Sequence, residues 1–328
     1  MARLLLLVAL VAGCATAPAP LPAPDPAPGP ERPVQHARAN GISLAWDSFG
    51  DESAPPLLLI MGLGMQLIGW DEALCETLAA RGFRVIRFDN RDAGLSTGFD
   101  DAGDPDVLRV ADDLRRKRPV RAAYHLSDMA EDAIGLLDAL AIPAAHVAGV
   151  SMGGMIAQEL AIRHPDRVLS LTSIMSNTGD PTVKGASFEV LTALLAPFPP
   201  DRAGFIARSV ALARTIGSPG FPFDEARVRR LAARAFARAY HPSGIRRQLV
   251  AIWTSGSRKP GLAALRVPTL VVHGDADPLI PVEGGRDTAA TVPGARLEII
   301  AGMGHDLPPA IWPRLVDAIA RMRPPPEQ

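Results

Sequence analysis

A serine at the centre of one short segment lies in a setting that could make it a nucleophile. Gly149, Ser151 and Gly153 form a Gly-x-Ser-x-Gly pattern. The residues before it are small, apolar and partly β-branched, which is typical of a buried parallel strand. From Met152 onward, apolar residues recur at helical spacing. An ordinary glycine-rich turn is the alternative, but a sharp strand-to-helix turn would hold a serine hydroxyl clear of the sheet. We therefore predict that Ser151 is a nucleophile.

A serine nucleophile also needs hydrogen-bond donors for the negative oxygen that forms during its attack. The first N–H groups of a helix lack intrahelical partners, so the N–H of Met152 can face this oxygen. The loop after an early buried strand contains Gly62, Leu63 and Gly64. A glycine turn there can aim the N–H of Leu63 at the same point. We predict Leu63 and Met152 as the two oxyanion donors, with a plain glycine loop as the alternative for Leu63.

Candidates for the base and for its orienting acid follow two later predicted strands. Asp275 and Asp277 follow one strand, and His305 follows the next. Because the carboxyl ends of parallel strands meet at one edge of a sheet, these side chains should lie near Ser151. An imidazole there can take the serine proton while a carboxylate holds the ring in one tautomer. The sequence thus predicts a serine, histidine and aspartate set.

Three carboxylates compete for the role of the orienting acid. Asp277 precedes Pro278, which restricts its backbone to extended conformations and steadies its side chain. Asp275 stands at a strand end, where an aspartate accepts hydrogen bonds from loop N–H groups. Asp306 is a sequence neighbour of His305 and is poorly placed to reach the far side of its ring. We expect Asp277 to orient His305 and Asp275 to act mainly on stability.

Taken together, these motifs resemble the α/β-hydrolase superfamily, and in particular its small-cap serine esterase and lipase branch. The polyketide methylesterases are similar too. The resemblance extends over about residues 34 to 322, and its motifs lie at residues 61–64, 88–96, 149–153, 273–277 and 304–305. It implies that Ser151, Asp277 and His305 form a catalytic triad and that Leu63 and Met152 are the oxyanion donors.

The chain departs from the family pattern at two positions. Met61 stands where many relatives have histidine, and Asp92 stands where many have glycine. Neither change removes a catalytic group. In the same motif as Asp92, we expect Asp89 and Arg91 to pair with each other and hold the loop together.

The spacing of apolar residues predicts an α/β fold, with a mostly parallel central sheet and helices on both faces. An Asn-Gly pair at residues 40–41 predicts a hairpin between the first two strands. The helix before the serine segment is expected to be capped by Ser127. Besides the strand before Ser151 and the helix after it, strands are predicted at residues 34–39, 42–49, 56–60, 84–88, 168–175, 269–272 and 296–300, and helices at 70–80, 127–140 and 311–322.

Residues from about 177 to 260 break the alternation of strands and helices. This segment is rich in Ala, Arg and Phe and has helical but no strand periodicity. We predict a helical cap over the edge of the sheet where ligands of open α/β folds bind. Arginines between 227 and 238 are expected to form a solvent-exposed helix face. Aromatic residues of the cap either favour an apolar substrate or form its own core: Phe188, Phe198, Phe205, Phe221, Phe223 and Trp253.

The N-terminus resembles the signal of a bacterial lipoprotein. Leu4 to Ala12 are nine apolar residues, whereas a membrane-spanning helix needs about 20. The run ends in a lipobox-like sequence with Cys14 as the lipidated residue, and cleavage after Ala17 is the alternative. We expect a signal peptide at 1–13, a proline-rich tether at 14–33 and a hydrolase domain at 34–323. Ala15 is not the aspartate that retains lipoproteins at the inner membrane, which favours an outer-membrane location in the cell envelope.

Composition excludes several other classes of protein. The formal net charge is −1, which does not indicate a nucleic-acid partner. No cluster of Cys and His has metal-ligand spacing, so we expect neither a metal nor another cofactor. Cys75 lies in an apolar helical run and is expected to be a packing residue. With Cys14 lipidated, the chain could form no internal disulfide.

The predicted reaction is acyl transfer to Ser151, followed by attack of a water molecule activated by His305. We expect a small-molecule carboxylic ester as the substrate. A serine aminopeptidase, a C–C bond hydrolase and a perhydrolase are alternatives with the same catalytic set. An envelope-tethered binding protein on a hydrolase fold is the non-enzyme alternative, and it predicts that the triad is lost. The oligomeric state is not predicted.

Overall fold

The computed structural model describes residues 32–323. The predicted signal peptide, Cys14 and nearly all of the predicted tether lie outside the described residues. Within them, eight strands form one sheet: β1 (Gln35–Ala39), β2 (Ile42–Phe49), β3 (Pro56–Ile60), β4 (Arg84–Phe88), β5 (Ala145–Val150), β6 (Val168–Ile174), β7 (Thr269–Gly274) and β8 (Arg296–Ile300).

The strands are ordered β1-β2-β4-β3-β5-β6-β7-β8 across the sheet. β1 and β2 are antiparallel to each other, and β2 is antiparallel to β4. All other neighbouring strands are parallel. Every residue of β5, at the centre, is buried, as expected for a strand covered on both faces. The mostly parallel sheet predicted from the sequence is confirmed, and the loops after β3, β5, β7 and β8 meet at one edge.

Helices cover both faces of the sheet. The described helices are α1 (Glu72–Ala80), α2 (Val107–Arg115), α3 (Leu126–Ala139), α4 (Met152–Arg163), α5 (Phe188–Leu195), α6 (Arg202–Ile216), α7 (Glu225–Arg238), α8 (Pro242–Thr254), α9 (Lys259–Ala264), α10 (Val282–Thr291) and α11 (Trp312–Ala320). The apolar faces of α3 and α4 pack on one side, and those of α1 and α11 on the other. None of the helices in this part of the chain has the length and apolar character needed to cross a lipid bilayer.

Local sequence signals account for several element ends. Asn40 has φ 47° and Gly41 has φ 78°, so both adopt the left-handed conformation that a tight two-residue hairpin turn requires. The predicted cap of α3 is wrong by two residues. The helix begins at Leu126, and the carboxylate of Asp128 accepts a hydrogen bond from the N–H of His125 at 2.7 Å. His125 is therefore the N-cap residue, Asp128 in the first turn satisfies its N–H, and Ser127 also lies within that turn.

Five helices, α5 to α9, lie between β6 and β7, in the region where the sequence predicts a cap. We refer to α5 to α8 as the cap helices. The ring of Phe205 lies 5.0 Å from that of Phe198, 5.4 Å from that of Phe236 and 6.1 Å from that of Tyr240, measured between centroids. These aromatic residues form a core inside the cap. Phe198 and Phe205 therefore provide little support for an apolar substrate.

Three arginines of α7 do not lie on the solvent-exposed face that the sequence suggested, although Arg230 is exposed. Arg227 pairs with Asp71 at 3.0 Å, just before α1, and Arg234 pairs with Glu72 within it at 2.8 Å. Arg238 is buried. Because carboxylates of the sheet domain meet them, these arginines hold α7 against the core.

The expected pair between Asp89 and Arg91 is also not formed. Arg91 binds Asp132 of α3 at 2.6 Å, whereas Asp89 binds Arg238 of α7 at 3.0 Å. Asp89 also accepts hydrogen bonds from the N–H of Leu67, after β3, and from that of Leu95 in its own loop. Both residues hold the loop after β4, but through partners that lie far away in the sequence.

Candidate active site

Ser151 occupies a strained turn between β5 and α4. Its backbone has φ 54° and ψ −122°, a conformation that is costly for any residue other than glycine. A Cβ atom on Gly149 would lie 2.0 Å from the carbonyl oxygen of Gly153, and one on Gly153 would lie 2.1 Å from that of Ile60. Only glycine fits at both flanking positions, so the sequence pattern and the turn require each other.

The loop after β3 lies directly against Ser151. A Cβ on Gly62 would come within 3.3 Å of the Cβ of Ser151. The N–H of Met65 donates to the carbonyl of Gly62 at 3.2 Å and closes a turn around Leu63. The loop that contains Leu63 therefore packs against the turn of Ser151, and Met152 is the first residue of α4. That Leu63 and Met152 are the two oxyanion donors stays a prediction.

His305 and Asp277 form a buried hydrogen-bonded pair. Nδ1 of His305 lies 2.7 Å from Oδ2 of Asp277, and the side chain of Asp277 is fully buried. The other oxygen of Asp277 accepts the N–H groups of Leu279 and Ile280, each at 2.9 Å. Because an ionised carboxylate can only accept, Nδ1 of His305 must carry the hydrogen. Nε2 is then free to accept a proton, which is the tautomer that a general base needs.

The two competing carboxylates bind other groups. Oδ1 of Asp275 accepts the N–H of Gly302 at 2.7 Å, which is the loop bond expected from the sequence. Asp306 accepts a hydrogen bond from the hydroxyl of Ser218. Burial raises the pKa of Asp306, and the bonds from Ser218 oppose this shift only in part. Of the three candidates, Asp277 is the one that bonds the ring of His305.

A second histidine, His273, lies beside the pair and was not identified from the sequence. It is fully buried in β7, where its Nε2 donates to the carbonyl of Ile280 at 2.7 Å and lies 3.7 Å from Oδ2 of Asp277. Burial lowers the pKa of His273, which keeps its ring neutral at physiological pH. The ring thus holds the turn that carries Asp277. Its position directly after the apolar run Leu270-Val271-Val272 was the signal that could have revealed it.

The loop that carries His305 is bonded to the cap. The N–H of His305 donates to the carbonyl of Ile216 at 2.7 Å, and the N–H of Gly220 donates to the carbonyl of Gly302 at 2.9 Å. The N–H of Gly304 donates to the hydroxyl of Ser218 at 2.8 Å. The segment after α6 therefore helps to position the base, a role that the sequence pattern gave no reason to expect.

Comparisons with known proteins agree with this geometry. The family described as the α/β-hydrolase fold matches residues 55–308. Rhodomycin D methylesterase DauP from Streptomyces sp. (strain C5) is 31% identical over 88% of this chain and 97% of its own length. The 2-hydroxymuconate semialdehyde hydrolase of Pseudomonas sp. (strain CF600) is 29% identical over 76% of this chain and 80% of its own.

A solved structure supports the same fold. The enol-lactonase from Burkholderia xenovorans LB400 superposes with a TM-score of 0.66 at 23% identity, over 88% of this chain and 99% of the lactonase. At that identity the likeness concerns the fold alone. The family model matches more than half of the chain, and a relative that is 31% identical covers 88% of it. The chain therefore belongs to the α/β-hydrolase family.

Proposed function

We propose that the protein is a serine hydrolase that cleaves a carboxylic ester through an acyl-enzyme on Ser151. The observation that carries this proposal is the pair of His305 and Asp277, 2.7 Å apart, at the sheet edge where Ser151 is held in its strained turn. A base held in the right tautomer, at the same sheet edge as a serine in such a turn, is the arrangement that acyl transfer needs. A binding protein would have no use for it.

In the proposed mechanism, Nε2 of His305 takes the hydroxyl proton of Ser151 while Oγ of Ser151 attacks the ester carbonyl. The N–H groups of Leu63 and Met152 stabilise the oxyanion that forms. The imidazolium then gives its proton to the departing alcohol, while Asp277 stabilises its positive charge. Water activated by His305 attacks the acyl-enzyme, the acid is released, and Ser151 recovers its proton.

We further propose a methyl ester as the preferred substrate. Two rhodomycin D methylesterases match this chain at 31% and 30% identity, each over 88% of it and 97% of the relative. A methyl ester would present a small leaving group to the site, with the acid portion in contact with the cap.

Hydrolysis of a C–C bond is the second candidate. It is supported by the similarity to 2-hydroxymuconate semialdehyde hydrolases, one of which matches 76% of this chain. The same serine, histidine and aspartate set could serve either reaction. The two candidates therefore differ in substrate rather than in the catalytic residues they require.

Labelling and hydrolysis together test the proposal. A fluorophosphonate probe should label the wild-type protein at Ser151, and Ser151→Ala should abolish both labelling and ester hydrolysis. A panel of methyl, ethyl and butyl esters of the same acids, with 2-hydroxymuconate semialdehyde alongside, should show the highest kcat/KM for methyl esters. Undiminished hydrolysis by Ser151→Ala would refute the nucleophile, and turnover of the semialdehyde alone would favour the second candidate.

A further inference from the structure

Helix α8 lies in the cap by sequence but packs tightly on the loops of the sheet domain. A Cβ on Gly244 would lie 2.3 Å from the carbonyl oxygen of Asp92, so the helix backbone touches the loop after β4. One turn later, Arg247 forms a buried ion pair with Asp92 at 2.7 Å. These contacts leave α8 little freedom to move relative to the sheet domain.

The next residue of α8, Gln248, reaches the loop that carries the proposed oxyanion donor. Its side chain is fully buried. Oε1 accepts the N–H of Gly64 at 2.8 Å, and Nε2 donates to the carbonyl of Arg91 at 2.7 Å. One amide therefore ties the loop after β3 to the loop after β4. The donor and acceptor on the two loops also determine which way the amide faces.

The space around Gly64 leaves no room for a side chain. The φ of Gly64 is +66°, and a Cβ there would lie 2.7 Å from Cγ1 of Ile245, which is also on α8. The Leu63–Gly64 peptide is thus held between the hydrogen bond from Gly64 and the side chain of Ile245. The preceding peptide carries the N–H of Leu63, and the turn closed by Gly62 and Met65 couples the two peptides.

We propose that Gln248 is a positioning residue that sets the orientation of the Leu63 N–H in the oxyanion hole. This inference rests on the proposed function, since the N–H of Leu63 matters only if Ser151 forms an oxyanion. Without Gln248, the partly buried N–H of Gly64 and the buried carbonyl of Arg91 lose these hydrogen bonds, and the turn can relax away from Ser151. The ground-state ester makes little use of this donor, whereas the transition state depends on it.

The test replaces Gln248 with Met, which keeps the length of the side chain but removes both hydrogen bonds. Gln248→Leu is the second variant, should the methionine variant not fold. Ser255→Ala is the matched control, because the hydroxyl of Ser255 at the end of α8 accepts the N–H of Leu126 at 2.9 Å. That bond also joins α8 to a backbone N–H of the sheet domain, but on α3 rather than at the oxyanion loop.

Removal of a whole oxyanion donor costs about 10²–10³ in kcat, and we expect misorientation of one donor to cost about tenfold. Gln248→Met should lower kcat by this factor with KM within about twofold of the wild-type value. It should also weaken inhibition by a trifluoromethyl ketone, whose adduct with Ser151 carries an oxyanion, by a similar factor. Ser255→Ala should change neither kcat nor this inhibition constant, even where its melting temperature falls.

The possible failures can be told apart. If the wild-type protein is not labelled at Ser151 by a fluorophosphonate, the proposed function fails and the role of Gln248 fails with it. If the wild-type protein is labelled and active, but Gln248→Met keeps full kcat and full affinity for the ketone, only the role of Gln248 is refuted. A rise in KM without a fall in kcat would also refute it, because that pattern indicates lost substrate binding.

Discussion

At the scale of single residues, Ser151 combines a reactive side chain with an unfavourable backbone. The positive φ of 54° is maintained because β5, α4 and the loop after β3 pack against the turn. Strain of this kind occurs at functional sites, where the surrounding structure compensates for it. The hydroxyl gains its exposed position at a cost to stability that substitution can measure.

Replacement of Ser151 by Gly should therefore give a more stable protein than replacement by Ala. Both variants lose the nucleophile, but only glycine relieves the strain, by about 1–3 kcal/mol. Denaturant unfolding of the two variants measures the difference. Ser255 has φ −77° and ψ −12°, so there the order should reverse, with Ala more stable than Gly. Equal stabilities for the two Ser151 variants would contradict the account of strain.

The acid that orients His305 can be identified by two matched substitutions. Asp277→Asn should lower kcat by about 10⁴, because an amide in place of the carboxylate favours the wrong imidazole tautomer. Asp275→Asn should lower the melting temperature through its bond to Gly302 and leave kcat within about threefold. Steady-state kinetics and thermal unfolding of both variants decide the matter. The assignment is wrong if Asp275→Asn proves the crippling change.

At the scale of elements, two buried ion pairs hold cap helices on the loop after β4. Arg238 of α7 binds Asp89, and Arg247 of α8 binds Asp92, with every one of these side chains at most 2% exposed. Paired buried charges cost little while both partners are present, whereas a lone buried charge is very unfavourable. The cap helices are therefore held by interactions that are specific in geometry and sensitive to the loss of one partner.

Arg247→Met should lower the free energy of unfolding by about 3–5 kcal/mol, because it leaves Asp92 buried without its cation. Arg246→Met is the control, because Arg246, which precedes Arg247, pairs with Asp104 at the surface. An exposed pair of that kind contributes about 0–1 kcal/mol. Urea unfolding at neutral pH compares the two variants, and equal losses would argue against a structural role for the buried pair.

The same pair predicts a dependence on pH. Burial by itself raises the pKa of Asp92, but hydrogen bonds from Arg247 and Tyr124 outweigh it and hold the pKa below its ordinary value. A lowered folded-state pKa contributes stability above the ordinary pKa of aspartate, about 4, and that stability is lost as the pH falls through the lowered value. The difference in unfolding free energy between wild type and Arg247→Met should thus shrink below about pH 4. A difference that grows on acidification would contradict this.

At the scale of the whole molecule, we propose that the hydrolase domain is tethered to the bacterial envelope through a lipid on Cys14. The proposal is supported by the short apolar run before Cys14 and by the proline-rich residues after it. At ~3.1 Å per residue, residues 18–33 would reach about 50 Å if fully extended. An enzyme so placed would meet its ester substrate outside the cytoplasm.

Cys14→Ser should move the protein from the membrane fraction to the soluble fraction of a Gram-negative host. Cys75→Ser is the control, because Cys75 is buried in α1, where burial raises the pKa of its thiol to about 12 and leaves it unreactive. Mass spectrometry of the mature N-terminus should find an acylated Cys14. A mature protein that begins at Pro18 without acyl chains would refute the anchor.

Local patterns in the sequence determined most of the elements and the candidate catalytic residues. The hairpin at Asn40 and Gly41 was predicted because the turn needs residues that tolerate positive φ. The turn at Ser151 was predicted because only glycine fits on both sides of it, and glycine stands at positions 149 and 153. Such signals extend over a few residues, and they depend on backbone conformation and on the spacing of apolar side chains. A single sequence is enough to identify them.

Only the tertiary structure decided how distant polar groups are paired. Asp89 binds Arg238 rather than its neighbour Arg91, and Gln248 meets Gly64 from a helix 184 residues away. The sequence shows which side chains carry charge or an amide, but several partners are chemically equivalent. The choice among them depends on which helix packs against which loop. When the domain folds, each buried polar group loses its contact with water and must pair with a partner that the packing brings within hydrogen-bonding distance.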